Sequence, residues 1–153
     1  MPTYKVPASA IPSGGFAVPN SYNIVDLSLQ KQLVVVDAEA GTARLASASG
    51  SVVAHWGDNV VRVNGSIRGD RLIGSDEGTT LVGGNGHDTL EDHSLAGLGS
   101  KMYGGNGNDK FYLKSGTGSR ADGGEGNDSF FVNDGTKGHN ITGGNGVDTL
   151  VYR

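Results

Sequence analysis

One nine-residue phrase returns four times between residues 83 and 151, and no other feature constrains this chain as tightly. It reads Gly-Gly-Asn-Gly-His-Asp-Thr-Leu-Glu from Gly83 and Gly-Gly-Asn-Gly-Asn-Asp-Lys-Phe-Tyr from Gly104. It reads Gly-Gly-Glu-Gly-Asn-Asp-Ser-Phe-Phe from Gly123 and Gly-Gly-Asn-Gly-Val-Asp-Thr-Leu-Val from Gly143. Glycine holds places 1, 2 and 4, aspartate place 6, and a large apolar residue place 8. The starts lie 21, 19 and 20 residues apart, and a near-constant period in this range marks a solenoid.

A quieter copy lies between the phrases. Thr79, Ser100, Ser119 and His139 each stand nine residues before an aspartate: Asp88, Asp109, Asp128 and Asp148. The other half-coil varies, running 9 residues from Asp70 to Thr79 and then 12, 10 and 11. One turn of each coil is thus constant in length, while the opposite turn accepts insertions.

A half-coil made of a glycine-rich turn and a short strand fits a coil of two parallel strands. Places 1, 2 and 4 are expected to need φ > 0, which residues with a Cβ enter only at a cost. Place 8 points inward, giving one column of Leu90, Phe111, Phe130 and Leu150 and a facing column of Leu81, Met102, Ala121 and Ile141. Coils stack about 4.8 Å apart, so the aspartates stack as well. Carboxylates about 5 Å apart repel by roughly 3 kcal/mol at an effective dielectric near 20. Calcium relieves that repulsion: it takes six to eight carboxylate and carbonyl oxygens at about 2.3–2.6 Å, and a glycine turn exposes its carbonyls. The fold is therefore expected to depend on calcium, with binding coupled to folding.

The phrase Gly-Gly-x-Gly-x-Asp-x-hydrophobic-x resembles the hemolysin-type calcium-binding repeat of the RTX (repeats-in-toxin) family. The resemblance covers residues 65–153 well and residues 1–64 poorly. It implies an all-β fold, a right-handed parallel β-roll with an irregular β-rich N-terminal cap, holding each ion between successive turns. It also implies the ligands: places 2, 4 and 6 of one turn with 1, 3 and 6 of the next. The first site would use Gly84, Gly86 and Asp88 with Gly104, Asn106 and Asp109. The second would use Gly105, Gly107 and Asp109 with Gly123, Glu125 and Asp128. The third would use Gly124, Gly126 and Asp128 with Gly143, Asn145 and Asp148. Members of the family leave bacteria through type I secretion machinery and act outside the cell or at its surface. The chain would then be a roll that folds on calcium there, supporting secretion and scaffolding of a larger toxin, exoenzyme or adhesin.

The chain departs from that pattern in two places. Family rolls often hold ions along both edges, but Thr79, Ser100, Ser119 and His139 leave the second edge without its carboxylates, which predicts a one-sided ladder of about three ions. Upstream, Gly65-Ser-Ile-Arg-Gly-Asp70-Arg-Leu72 is a decayed repeat with Arg68 where a glycine belongs. A fourth ion at Asp70 is left open.

Composition bounds the rest. The 153 residues suffice for one domain with a core. With 27 Gly and 4 Pro the chain could read as disordered, but the period argues for order once calcium is present. Its net charge is −4 and its basic residues are scattered, so nucleic acid is not an expected partner. Cysteine is absent, so metal would take the part of a disulfide staple. No apolar run is long enough to span a membrane, and no secretory signal peptide opens the chain. The repeat stops in mid-coil at Arg153, as expected of a fragment of a longer protein.

Residues 1–22 hold all four prolines and read as an irregular leader. Residues 23–64 carry short β-rich runs around Val25, Val35, Arg44, Val53 and Val61, with no helical period. They are expected to cap the solenoid's core, and a small separate sandwich is the alternative. The roll itself then occupies residues 65–153. Asp76, Glu77, Asp92 and Asp134 read as solvated loop acids, and His87 as a solvent-facing residue. Arg68-Gly69-Asp70 spells an integrin-recognised tripeptide but falls in frame with the decayed repeat, which already explains it. No catalytic grouping is present, so no enzyme is expected. A second reading is a polysaccharide- or receptor-binding face, hinted at by Tyr103, Tyr112, Lys101, Lys110 and Lys114.

Overall fold

Along each repeat the inward and outward side chains alternate, the period of a strand with one buried face. The computed structural model describes residues 1–6, 16–19, 21, 23–30, 34–38, 41–45, 52–55, 61–94, 98–114, 118–133 and 137–153. Its strands begin with β1 (Thr3–Lys5), β2 (Phe16–Ala17), β3 (Ile24–Asp26), β4 (Val34–Asp37), β5 (Thr42–Leu45), β6 (Val52–His55), β7 (Arg62–Asn64) and β8 (Arg71–Ile73). The repeats supply β9 (Thr80–Asn85), β10 (Thr89–Asp92), β11 (Lys101–Asn106), β12 (Lys110–Leu113), β13 (Arg120–Glu125), β14 (Ser129–Val132), β15 (Asn140–Asn145) and β16 (Thr149–Tyr152). Among the described residues there is no helix.

Two sheets result. One runs β1-β3-β7-β9-β11-β13-β15, the other β16-β14-β12-β10-β8-β4-β5-β6-β2. From β7 onward successive strands alternate between the sheets, so each coil gives one strand to each and about five coils stack. Neighbours in both sheets are parallel throughout this part. The protein is an all-strand parallel β-roll.

The first third of the chain extends both sheets. β3 pairs in parallel with β7, and β4 with β8. β1 lies beside β3, so the expected leader contributes strands to the roll. The antiparallel pairings are β4 with β5 and β5 with β6. Gly41, with φ 62°, turns the first of these hairpins.

The two apolar columns lie where the repeat put them. Leu90, Phe111, Phe130 and Leu150 are in register from strand to strand, as are Leu81, Met102, Ala121 and Ile141. Val63 and Val25 prolong one column, Leu72 and Val36 the other. Phe111 stacks on Phe130 at 4.7 Å between ring centroids. The coil that carries bulky Phe130 carries small Ala121 opposite it, which keeps the interior volume roughly constant. At the last coil the burial fades: Ile141 is half-buried and Leu150 is 47% exposed.

Candidate metal centre

The constant turn between β9 and β10, and its counterparts in the next three coils, brings the predicted site residues together. Gly84 registers with Gly105 and Asn85 with Asn106; Gly105 registers with Gly124, and Gly124 with Gly144. The carbonyls of places 2 and 4 project toward the following coil. Gly84 O and Gly86 O would collide with a Cβ built on Gly105 and on Gly107. Places 1 and 3 project back: Gly104 O lies 2.7 Å from a Cβ position on Gly83, and Asn106 O accepts the Gly86 N–H at 2.8 Å. The second gap repeats this with Gly105, Gly107, Gly123 and Glu125, and the third with Gly124, Gly126, Gly143 and Asn145. The side chains at place 3 turn outward and bond one another, Asn106 Nδ2 to Asn85 Oδ1 and Asn145 Nδ2 to Glu125 Oε1, both at 2.8 Å. That leaves their backbone oxygens facing the gap.

The three kinds of glycine answer to two physical demands. Places 2 and 4 have positive φ, 112° at Gly84 and 125° at Gly86. Place 1 is not among the positive-φ glycines, contrary to the expectation from sequence. Gly83, Gly104, Gly123 and Gly143 are glycine because the aspartate of their own turn folds against them. A Cβ there would strike Asp88, Asp109, Asp128 or Asp148 Oδ2.

The aspartates form a ladder. Asp88, Asp109 and Asp128 are each only 1% exposed, whereas Asp148 in the last coil is exposed. Each Oδ1 accepts the backbone N–H of the aspartate one coil earlier. Asp70 donates to Asp88 at 2.6 Å, Asp88 to Asp109 at 2.7 Å, Asp109 to Asp128 at 2.8 Å and Asp128 to Asp148 at 2.9 Å. The other oxygen is left over: Oδ2 of Asp88, Asp109 and Asp128 is buried without a hydrogen-bond partner. Each shares its corner with a carbonyl of the next coil, so two acceptors face the same space. Burial pushes the Asp88 carboxyl up to about 8, with the charges of Asp109 and Asp70 adding and the Asp70 N–H opposing. Burial likewise raises Asp109 to about 6 and raises Asp128.

The residues present suit a hard cation. The buried unpaired oxygens and the converging carbonyls call for positive charge, and the place-1 cradle is one that a Cβ would fill. Among the described residues no three His, Cys, Asp or Glu side chains gather into a cage. Each predicted set brings at most three acidic side chains, of which Glu125 is turned outward, and draws its remaining oxygens from the backbone.

A second ladder, not foreseen from sequence, runs along the lip of the turns at place 5. His87 Nδ1, Asn108 Oδ1 and Asn127 Oδ1 accept the N–H of Asn108, Asn127 and Val147, at 2.7, 2.8 and 2.8 Å. His87 is exposed, as expected, but its ring ties two coils together. Its signal was an acceptor recurring at a place read as free.

The opposite edge repeats the backbone and changes the side chain. Lys101 N–H bonds Thr79 O, and Arg120 N–H bonds Ser100 O, as Lys110 N–H bonds Asp88 O on the aspartate edge. Thr79, Ser100 and Ser119 are buried. Ser100 Oγ accepts the Thr79 N–H at 3.3 Å, and Ser119 Oγ donates to Asp92 Oδ2. Asp92, expected as a solvated loop acid, is fully buried. It points into the roll because it ends β10 in register with Leu113, and the Ser94 N–H at 2.9 Å completes its bonding. Asp76 and Glu77 are half-buried and exposed, and Asp134 lies outside the described residues. His139 is half-buried, and burial lowers its pKa against the pull of Asp92.

Of the residues that hinted at a binding face, Tyr103, Tyr112 and Lys114 are engaged in contacts with neighbouring side chains. Tyr112 stacks on Phe131 at 4.9 Å and 13°. Lys114 covers the Tyr112 ring at 5.7 Å, and Arg153 the Phe131 ring at 4.7 Å. Lys114 and Arg71 also pair with buried Glu91. Tyr103 lies beneath Arg120, while Lys101 and Lys110 are exposed. In the Arg68-Gly69-Asp70 tripeptide, Asp70 is 2% exposed, so its carboxylate is turned away from any surface partner. No protein-family model matches the chain, and no curated protein matches it.

Proposed function

We propose that this chain is a calcium-binding roll of the RTX type, which folds when calcium fills the gaps between its aspartate turns. The observation that carries the reading is the set of three buried, unpartnered carboxylate oxygens, each facing a carbonyl of the next coil. An unsatisfied buried polar group costs about 1–3 kcal/mol, more when charged. Three such groups are a large debit against a typical total stability of about 5–15 kcal/mol. Calcium suits this site better than magnesium, because it accepts many carbonyls in a loose geometry while magnesium demands a tight octahedron and retains water. The ligands proposed are those of the three gaps: Gly84, Gly86, Asp88, Gly104, Asn106 and Asp109, with their counterparts through Asp148.

Such a module stays open where calcium is scarce, as in the cytosol, and closes where it is millimolar, outside the cell. That supports a secreted or cell-surface location, export through type I machinery, and a scaffolding part in a larger toxin, exoenzyme or adhesin. Among the described residues no helix is long and apolar enough to cross a membrane. The glycan- or receptor-binding reading has less support, since the Tyr112 and Phe131 rings stack on each other and already have Lys114 and Arg153 over them. Far-UV circular dichroism with calorimetric titration tests the proposal. Millimolar calcium should produce the strand spectrum, magnesium should not, and a chelator should abolish it. The same strand-rich spectrum in chelator and in calcium would overturn it.

A further inference from the structure

The turn that precedes the first full repeat, residues 65–70, solves the same electrostatic problem differently. Asp70 is 2% exposed, like its counterparts below. Gly83 O lies 2.6 Å from a Cβ position on Gly65, the relation that Gly104 O has to Gly83. Yet both carboxylate oxygens of Asp70 are bonded. The Ser66 N–H donates to Oδ2, and Ser66 Oγ donates to Oδ1 at 2.8 Å. The same hydroxyl accepts the Arg68 N–H at 3.1 Å, bracing the turn. In the coils below, glycine stands at that place with φ of 112°, 111° and 104° at Gly84, Gly105 and Gly124. There the matching Oδ2 of Asp88, Asp109 and Asp128 has no partner. Arg68 replaces the second turn glycine; the Ser66 and Arg68 carbonyls still lie against Gly84 and Gly86 of the next coil, so what sets this gap apart is that its carboxylate is already bonded.

We propose that residues 65–70 form a metal-free terminal cap of the ladder, in which Ser66 does with two hydrogen bonds what a cation does in the coils below. The ion ladder then has three rungs and begins between Asp88 and Asp109. This inference rests on the calcium reading and adds to it a stoichiometry and the residue that sets it. It also gives the decayed repeat a purpose: the uppermost carboxylate is bonded by its own turn, so the gap between Asp70 and Asp88 needs no ion.

Native mass spectrometry of the calcium-loaded chain tests the cap. The wild type is expected to hold three ions, and Asp70→Asn is expected to hold three as well. The double variant Ser66→Gly/Arg68→Gly restores the repeat and is expected to hold four. Four ions in the wild type, a loss of an ion in Asp70→Asn, or three in a folded double variant would each overturn the cap while leaving the calcium reading intact. If the double variant does not fold, the Asp70→Asn count decides. A wild type that binds no calcium would overturn both.

Discussion

The two edges of the roll stack through the same kind of backbone bond and differ in the length of their turns and in the side chain that reaches back from each coil. On one edge the side chain that reaches back to the preceding coil is a carboxylate; on the other it is chiefly a hydroxyl. Ser100 Oγ meets the Thr79 N–H much as Asp88 Oδ1 meets the Asp70 N–H. A hydroxyl has one proton to give and needs little more. A carboxylate has a second oxygen, and in three coils that oxygen is buried with nothing to bond. On the calcium reading, the requirement for metal enters with that extra acceptor, which a hydroxyl lacks.

Four experiments test that contrast. Asp109 is shared by two proposed sites, so Asp109→Asn should cost about 3–5 kcal/mol in calcium, the scale for breaking a buried charge pairing. In chelator the same change should be neutral or stabilising, because it removes a buried charge. Melts in calcium, and in chelator with a stabilising osmolyte that populates the metal-free fold, should show this reversal of sign. Next, Gly104→Ala should cost about 1–3 kcal/mol by overpacking and weaken calcium binding, since its Cβ would strike Asp109 Oδ2. Gly118→Ala on the other edge meets nothing within 4 Å at φ 81°, so about 1 kcal/mol of backbone strain and unchanged affinity are expected.

On the hydroxyl edge, Ser119→Ala strips a partner from buried Asp92 and should cost about 1–2 kcal/mol, equally in calcium and in the osmolyte-stabilised metal-free fold. The last contrast is with pH. Asp88 titrates at about 8 in the fold against 3.8 in the open chain, so between those values the folded state holds more protons. Metal-free stability should therefore fall as pH rises, by at most about 1.4 kcal/mol per unit for one group. Melts between pH 6.5 and 8 in chelator with a stabilising osmolyte, which populates the metal-free fold, isolate this from His139, whose lowered pKa acts in the opposite sense at lower pH. Saturating calcium should abolish the slope.

Much of this was legible because the repeat is strict. The place-8 residues predicted the core columns from Leu90 to Leu150, and the constant half-coil located the aspartate row. What escaped depends on contacts between coils, which a period does not encode. Place 1 reads like places 2 and 4, yet its glycines make room for a carboxylate rather than for a positive φ. Asp92 looked like a loop acid because the residues after it are polar, but its strand register buries it. Glycines stand directly before Thr79, Ser100, Ser119 and His139, at Gly78, Gly99, Gly118 and Gly138. They were a readable sign of a second tight turn, and the varying spacing on that side obscured it. The antiparallel β4–β5–β6 segment was visible as strand-forming runs, but nothing in them specified direction.

One consequence follows from the way each aspartate bonds backward. Asp70 depends on Asp88 for its amide, Asp88 on Asp109, Asp109 on Asp128 and Asp128 on Asp148. No coil finishes its own corner; its successor does. The roll is therefore laid like overlapping roof tiles, with a grain running from β9 toward β15. Lifting the outermost tile uncovers a single amide, whereas damage in the middle row exposes neighbours on both sides.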